Sequence, residues 1–196
     1  GYGYTDYMSV SYVDIDAAGV AGTLVRNTAW PSNKMNGSMK VGGSQAAEIR
    51  DGLSITIGLM EDAGRSEMFY PATDVDPAAF ELLPAGNIYR NGWRWAEPDS
   101  GNGVSGPPGA KFGDANLKII SNNAQPLGGP GTCMWQYSNC GVNDEPFSFH
   151  GGGGNTLFMD GHVSYLTDRI DPIALRRLLT PKEGLPPADI SGVSFS

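Results

Sequence analysis

Positive charge is scarce in this sequence. Thirteen Lys and Arg stand against 21 Asp and Glu in 196 residues, a formal charge of −8. Phosphate backbones are held by clustered basic side chains, so nucleic acid is not an expected partner, and neither is an anionic membrane surface. Long apolar runs are missing too: the best candidate, Leu53 to Met60, falls far short of the ~20 residues a spanning helix needs. Histidine and cysteine are down to two each. Cys133 and Cys140 lack the close spacing of a zinc knuckle, which argues against a zinc site. No G-x-S-x-G elbow, Walker loop or H-E-x-x-H is present, so an enzyme is not expected. The chain opens at Gly1 without a methionine, which reads as a processed or truncated product.

Glycine and proline are abundant instead, 28 and 14, beside 40% hydrophobic residues. That mixture suits short strands joined by long structured loops, not disorder. The expected class is α+β, mainly antiparallel β-sheet with a short C-terminal helix. The expected organisation is one head domain over 1–180, then an extended tail over 181–196. Alternation predicts one strand over Met8 to Val13 and another over Ser54 to Met60, the latter entered through a turn at Asp51-Gly52. Between them, Asp14 to Ser44 reads as an extended excursion. Asp76-Pro77 has the form of a helix start, predicting a short helix near Pro77 to Leu83. Asp171-Pro172 predicts a better one over Pro172 to Leu179, with Ile173, Leu175, Leu178 and Leu179 as its apolar stripe and Arg176 and Arg177 near its carboxyl end.

The most informative stretch is Phe147 to Leu166. Two β-type runs, Asn155 to Met159 and His162 to Leu166, flank Asp160-Gly161. Such a dipeptide predicts a hairpin with a two-residue primed turn, positive φ at both central residues, and Phe158 with Val163 or Tyr165 in the core. Upstream come His150 and four glycines, Gly151 to Gly154. The glycines lead into a strand instead of a helix, so a bend allowing close backbone approach is preferred over a phosphate cradle. Asp160 is accounted for as a turn residue. His150 reads as a hydrogen-bonded, partly buried structural residue, against the alternative of a ligand or proton carrier.

A histidine, nine residues, then Asp-Gly resembles the signature of the prepilin-type processing-associated H-X9-DG family of pseudopilin-like surface proteins. Tyr4-Thr5-Asp6-Tyr7 and the block from Ile49 through Asp51-Gly52 to Glu61-Asp62 are similar to further family segments. Trp95, Asp99, Asn139-Cys140-Gly141 and Asn143-Asp144-Glu145 follow in family order. The basic leader and long apolar helix that begin family members have no counterpart here. The resemblance implies a type IV pilin-like or type II secretion pseudopilin-like head, exported to the cell surface, periplasm or extracellular space. It would meet a membrane only through the missing helix.

Export in turn favours a disulfide between Cys133 and Cys140 over two free thiols. Pseudopilins similar to this family can carry calcium in a C-terminal loop. Oxygen-rich loops recur at Asp14 to Asp16, Asp74 to Asp76, Asp99 to Asn102 and Asn143-Asp144-Glu145. Asp99, Asn102, Asn143, Asp144 and Glu145 are the preferred calcium candidates, the alternative being carboxylates that merely cap turns. Trp93, Trp95, Trp135 and Tyr137 are candidate interaction residues, or core fillers. The resulting expectation is a non-catalytic structural or assembly protein whose partners are copies of itself or subunits of an envelope complex. The alternatives are a surface glycan- or solute-binding module and an accessory subunit of a larger envelope complex.

Overall fold

Among the described residues, a four-stranded and a three-stranded sheet share one core with a C-terminal helix. The computed structural model describes residues 5–26, 35–63, 103–106, 110–115, 117–120 and 146–184, and the backbone of two short strands at 81–82 and 88–89. A four-stranded antiparallel sheet runs in the order β1 (Tyr7–Ser9), β4 (Ile57–Glu61), β8 (Gly153–Phe158), β9 (Val163–Thr167). Beside it lies a three-stranded sheet, β3 (Met35–Asn36), β2 (Tyr12–Val13), β7 (Gly103–Val104), in which only the β2–β7 pair is parallel. β5 (Glu81–Leu82) and β6 (Ile88–Tyr89) pair antiparallel. The architecture is α+β and mostly antiparallel sheet, closed by the C-terminal helix α1 (Pro172–Leu179).

The inner face of the large sheet presents Met8, Met60, Phe158 and Leu166, all essentially inaccessible to water. Leu175, Leu178 and Leu179 of α1 pack into the same core, which continues through Val13 and Val104 into the second sheet. Helix α1 begins and ends where its sequence signals put it. Asp171 Oδ1 accepts from the Ile173 and Ala174 amides at 2.9 and 3.0 Å, and Pro172 occupies the first turn, where no amide is needed. Arg176, near the carboxyl end of the helix, lies inside. It is 5% exposed, with its guanidinium turned inward to Glu183 and the Ile15 carbonyl. Residues 181–184 are tied to the head: Pro181 accepts from the Arg50 amide at 2.7 Å, and the Gly184 amide donates to Asp51 Oδ1 at 3.0 Å. Residues 185–196 lie outside the described residues.

Three local expectations are corrected. Met8 to Val13 is two strands because the chain changes sheets at Val10: its amide donates to Gly58 and its carbonyl accepts from Met39. Gly37 permits that crossing, since a Cβ there would stand 2.3 Å from the Val10 carbonyl oxygen. The strand expected from Ser54 starts at Ile57 instead. The Gly52 carbonyl collects both the Ile55 amide and the Thr56 hydroxyl, and this winds Leu53–Ile55 into a 3-10 turn. Glu81–Leu82, inside the predicted helix near Pro77 to Leu83, is strand, its backbone claimed by Ile88–Tyr89. The rest of that segment lies outside the described residues.

The hairpin is where expected, but its turn is of another kind. Gly161 donates to the Phe158 carbonyl and Phe158 donates to the His162 carbonyl, each at 2.9 Å. Gly161 has φ +97°, and no described residue other than glycine has positive φ, Asp160 included. This is a three-residue loop, a type I turn closed by a glycine bulge, in place of the two-residue primed turn. The register shifts by one residue, and a shift of one exchanges the faces of the strand. Phe158 is buried as expected, but Ser164 and Leu166 face inward while Val163 and Tyr165 are 61% and 40% exposed. Gly161→Val is expected to cost about 1–2 kcal/mol, because the left-handed conformation is strained for a side chain. Space is not the obstacle, since nothing lies within 4 Å of a Cβ there. A thermal melt indistinguishable from the parent would refute this turn.

Candidate functional site

His150 and Asp160 cannot work on each other. They stand at opposite ends of β8, whose six residues span roughly 20 Å at the usual rise of a strand. His150 instead faces Glu61, its Nε2 lying 3.6 Å from Glu61 Oε1. Its side chain is 59% exposed, which corrects the expectation of partial burial. Phe147 and Ser148 take the interior positions of this segment, leaving Phe149 and His150 to turn outward. The His150 amide donates to Ser148 Oγ at 3.0 Å.

Glu61 is the buried member of the group, 7% exposed. Its Oε2 accepts from the Asn155 backbone amide at 2.8 Å and from Asn155 Nδ2 at 3.2 Å. Strand register places Tyr7 opposite Glu61 and Asn155 opposite Tyr165, so these four side chains form one row across the sheet. Tyr165 Oη donates to the Gly151 carbonyl at 2.9 Å, and its ring meets that of His150 edge-on at 6.5 Å. Partial desolvation, then the charges of Asp168 and Glu61, hold the Tyr165 phenol above its ordinary pKa. The Asp62 amide donates to the Asp6 carbonyl at 2.8 Å, and Asp62 bridges to Phe147. Thr5-Asp6-Tyr7, Glu61-Asp62 and Phe147 to His150, distant in sequence, therefore meet at one end of the large sheet.

Among the described residues, both hydrogen bonds to the Glu61 carboxylate come from Asn155 of β8, with the His150 ring of the preceding turn nearby. The carboxylate thus acts as a staple at the point where β4 and β8 separate to admit Phe147, whose amide takes the Glu61 carbonyl at 3.2 Å. Glu61→Ala is expected to cost about 1–2 kcal/mol, the low end of the penalty for stranding an amide, since the Asn155 amide is part-buried. His150→Ala should cost under about 1 kcal/mol, as for an exposed ion pair. Chemical denaturation of the two variants checks the ranking, and a larger loss in His150→Ala would reverse these assignments.

At the other end of β8, Asp160 Oδ1 accepts from the His162 amide at 3.1 Å and lies 2.6 Å from His162 Nδ1. The His162 ring stacks on Phe158 at 4.3 Å. The backbone hydrogen bond, followed by the side-chain contact, holds the Asp160 carboxyl below its ordinary pKa. With a folded value below the unfolded one, its stabilisation is present above the ordinary carboxylate range and lost as pH falls through the lowered value. An NMR titration of this carboxyl should show that depression. Asp51 and Gly52 serve the fold: Asp51 holds the Gly184 amide, and Gly52 supplies φ +106°.

Of the acidic loops, Asp14 and Asp16 are described. Asp14 is buried and accepts from Ser105 Oγ at 3.3 Å, while Asp16 accepts from the Ala18 amide at 2.7 Å. Among the described residues no three His, Cys, Asp or Glu side chains are grouped to hold a metal ion, and no helix is long and apolar enough to cross a membrane. Asp74 and Asp76, the calcium candidates Asp99, Asn102, Asn143, Asp144 and Glu145, the pair Cys133 and Cys140, and the aromatics Trp93, Trp95, Trp135 and Tyr137 lie outside the described residues. Sequence reasoning overlooked Asn155. Its signal was an amide side chain on the same face as the apolar Leu157 and Met159.

A family model described as "Protein of unknown function (DUF1559)" matches residues 6–173, a span that takes in all of the large sheet. The chain belongs to the DUF1559 family. No curated protein and no solved structure matches it. The DUF1559 match runs from Asp6 to Ile173, so it contains Glu61, Asn155 and the whole hairpin, and ends inside α1.

Proposed function

We propose that this chain is the exported, non-catalytic head of a pilin-like or pseudopilin-like subunit, acting through contacts with other protein subunits. The observation that carries the proposal is how the motif residues are employed. Among the described residues, His150, Glu61, Asp62, Asp160 and Gly161 fasten turns and strands to one another. A family motif used this way specifies a scaffold, and a scaffold acts through its surface. The DUF1559 family is associated with bacterial surface proteins, which agrees with an exported head.

The outer face of the hairpin offers such a surface. Val163 and Tyr165 of β9 are exposed there, and Tyr7 of β1 is 41% exposed at the far edge. Aromatic and aliphatic groups on a rigid sheet lose little entropy on docking. A photocrosslinking residue at Val163, in the native protein on cells, should give a discrete adduct with a second copy or an envelope protein. The same probe at Val20, also exposed, should not. Adducts at neither position, together with saturable tryptophan quenching by one class of oligosaccharide, would replace this reading with a glycan-binding one.

A further inference from the structure

Behind β3, away from the Glu61 staple, a cleft of about 350 Å³ opens between the 3-10 turn Ala46–Glu48 and the segment Pro181-Lys182. In a chain of formal charge −8, its lining holds Lys40, Arg50 and Lys182 against one carboxylate, Glu48. Lys40 is already committed, its Nζ lying 2.8 and 2.9 Å from the two Glu48 oxygens. That hydrogen bond is the main reason the Glu48 carboxyl sits below its ordinary pKa. The pair cancels, and the surplus positive charge belongs to Arg50 and Lys182. Among the described residues neither has an ion-pair partner within salt-bridge distance. Met35, Ile49 and Pro181 supply apolar wall.

We propose that this cleft binds a small organic acid, a carboxylate carried on an apolar stem. The volume falls at the lower end of the ~300–1,000 Å³ typical of small-molecule sites. The planar guanidinium of Arg50 matches a carboxylate in two parallel hydrogen bonds, and Lys182 adds a point charge. The framework is set by backbone contacts. The Arg50 and Asp51 amides both donate to the Pro181 carbonyl, at 2.7 and 3.3 Å. The Gln45 amide donates to Glu48 Oε2 at 3.1 Å, closing the turn that carries Glu48. The backbone that carries the charged groups is fixed, so what binding must order is their side chains. The net negative charge of the chain offers no long-range attraction, so selectivity rests on these local groups. This site is independent of the assembly role proposed above.

Calorimetry or ligand-observed NMR on the whole chain at low salt tests it, with hexanoate, benzoate, hexanamide and inorganic phosphate as probes. Hexanoate and benzoate should bind saturably at one site, and hexanamide and phosphate at least about tenfold more weakly. Arg50→Gln, on an exposed side chain, should leave the melting temperature unchanged and weaken hexanoate roughly tenfold, the scale of one charge-assisted hydrogen bond. Glu48→Gln should tighten binding by releasing Lys40. Equal binding of hexanoate and hexanamide would overturn the proposal, as would phosphate matching hexanoate, unchanged affinity in Arg50→Gln, or no saturable binding of any acid at millimolar concentration.

Discussion

Gly153→Ala is expected to destabilise this protein by roughly 3 kcal/mol, a fall of about 6–12 °C in Tm for a chain of this length. A Cβ at Gly153 would lie 1.9 Å from the Leu166 carbonyl oxygen, and backbone cannot rotate aside as a side chain can. Relief requires prising β8 from β9 at the end where Gly153 pairs with Thr167. The other three glycines of the run give an internal scale. Gly151 has open space and no positive φ, so Gly151→Ala should stay within about 0.5 kcal/mol. Gly152 also has open space but φ +88°, so alanine there should cost about 1–2 kcal/mol from backbone strain alone. At Gly154 a Cβ would meet Ser148 Cβ at 3.3 Å, a squeeze smaller than the collision at Gly153. Denaturant titrations of the four alanine variants should rank Gly153 far above Gly151. Four equal values would mean that the run is a plain flexible linker, and that close strand approach is not why glycine is there.

What could be read in the sequence was what local chemistry decides. Asp171-Pro172 announced the start of α1 because cap and first turn are neighbours in the chain. Asp160-Gly161 located the hairpin for the same reason, but not its register. Asp-Gly serves a two-residue primed turn and a type I turn with a glycine bulge equally well. The choice between them rests on how β9 lies against the core. Hence Phe158 was placed inside correctly, while Val163 and Tyr165 were put on the wrong face. The meeting of His150 with Glu61 was harder still. Both residues stood in segments the sequence singled out, yet nothing local in either segment encodes that β4 and β8 are neighbours. The division of Met8 to Val13 depended on Gly37, whose missing side chain lets another segment cross at Val10. The cleft lined by Arg50 and Lys182 went unseen because its two sides come from opposite ends of the chain.

Arg176→Ala should cost about 3 kcal/mol, for a reason no helix-surface reading would supply. The guanidinium is almost fully buried, with Nε 2.7 Å from Glu183 Oε2 and Nη2 2.5 Å from Glu183 Oε1, while Nη1 reaches the Ile15 carbonyl. Thr180 Oγ1 adds a contact to Glu183 Oε2 at 3.3 Å. Breaking a buried ion pair from one side typically costs ~3–5 kcal/mol, because the surviving charge keeps its desolvation penalty. The lower end applies here, since the Glu183 side chain is 22% exposed and retains a way to water. Removing both partners is a different experiment. Arg176→Met combined with Glu183→Leu should recover much of the loss, leaving about 1 kcal/mol for the Ile15 carbonyl that loses its donor. A double-mutant cycle by chemical denaturation separates the cases, and purely additive penalties would show that the pair is not coupled. The break should also reach the cleft. Glu183 follows Lys182 directly, so the contact that anchors Glu183 to α1 also holds the Pro181-Lys182 wall against Arg50. Arg176→Ala should therefore weaken hexanoate binding although Arg176 donates nothing to the acid, and the Met/Leu pair should restore it only as far as its apolar contact holds the segment down. Unaltered binding in Arg176→Ala would show that the backbone bonds to Pro181 suffice to keep that wall in place.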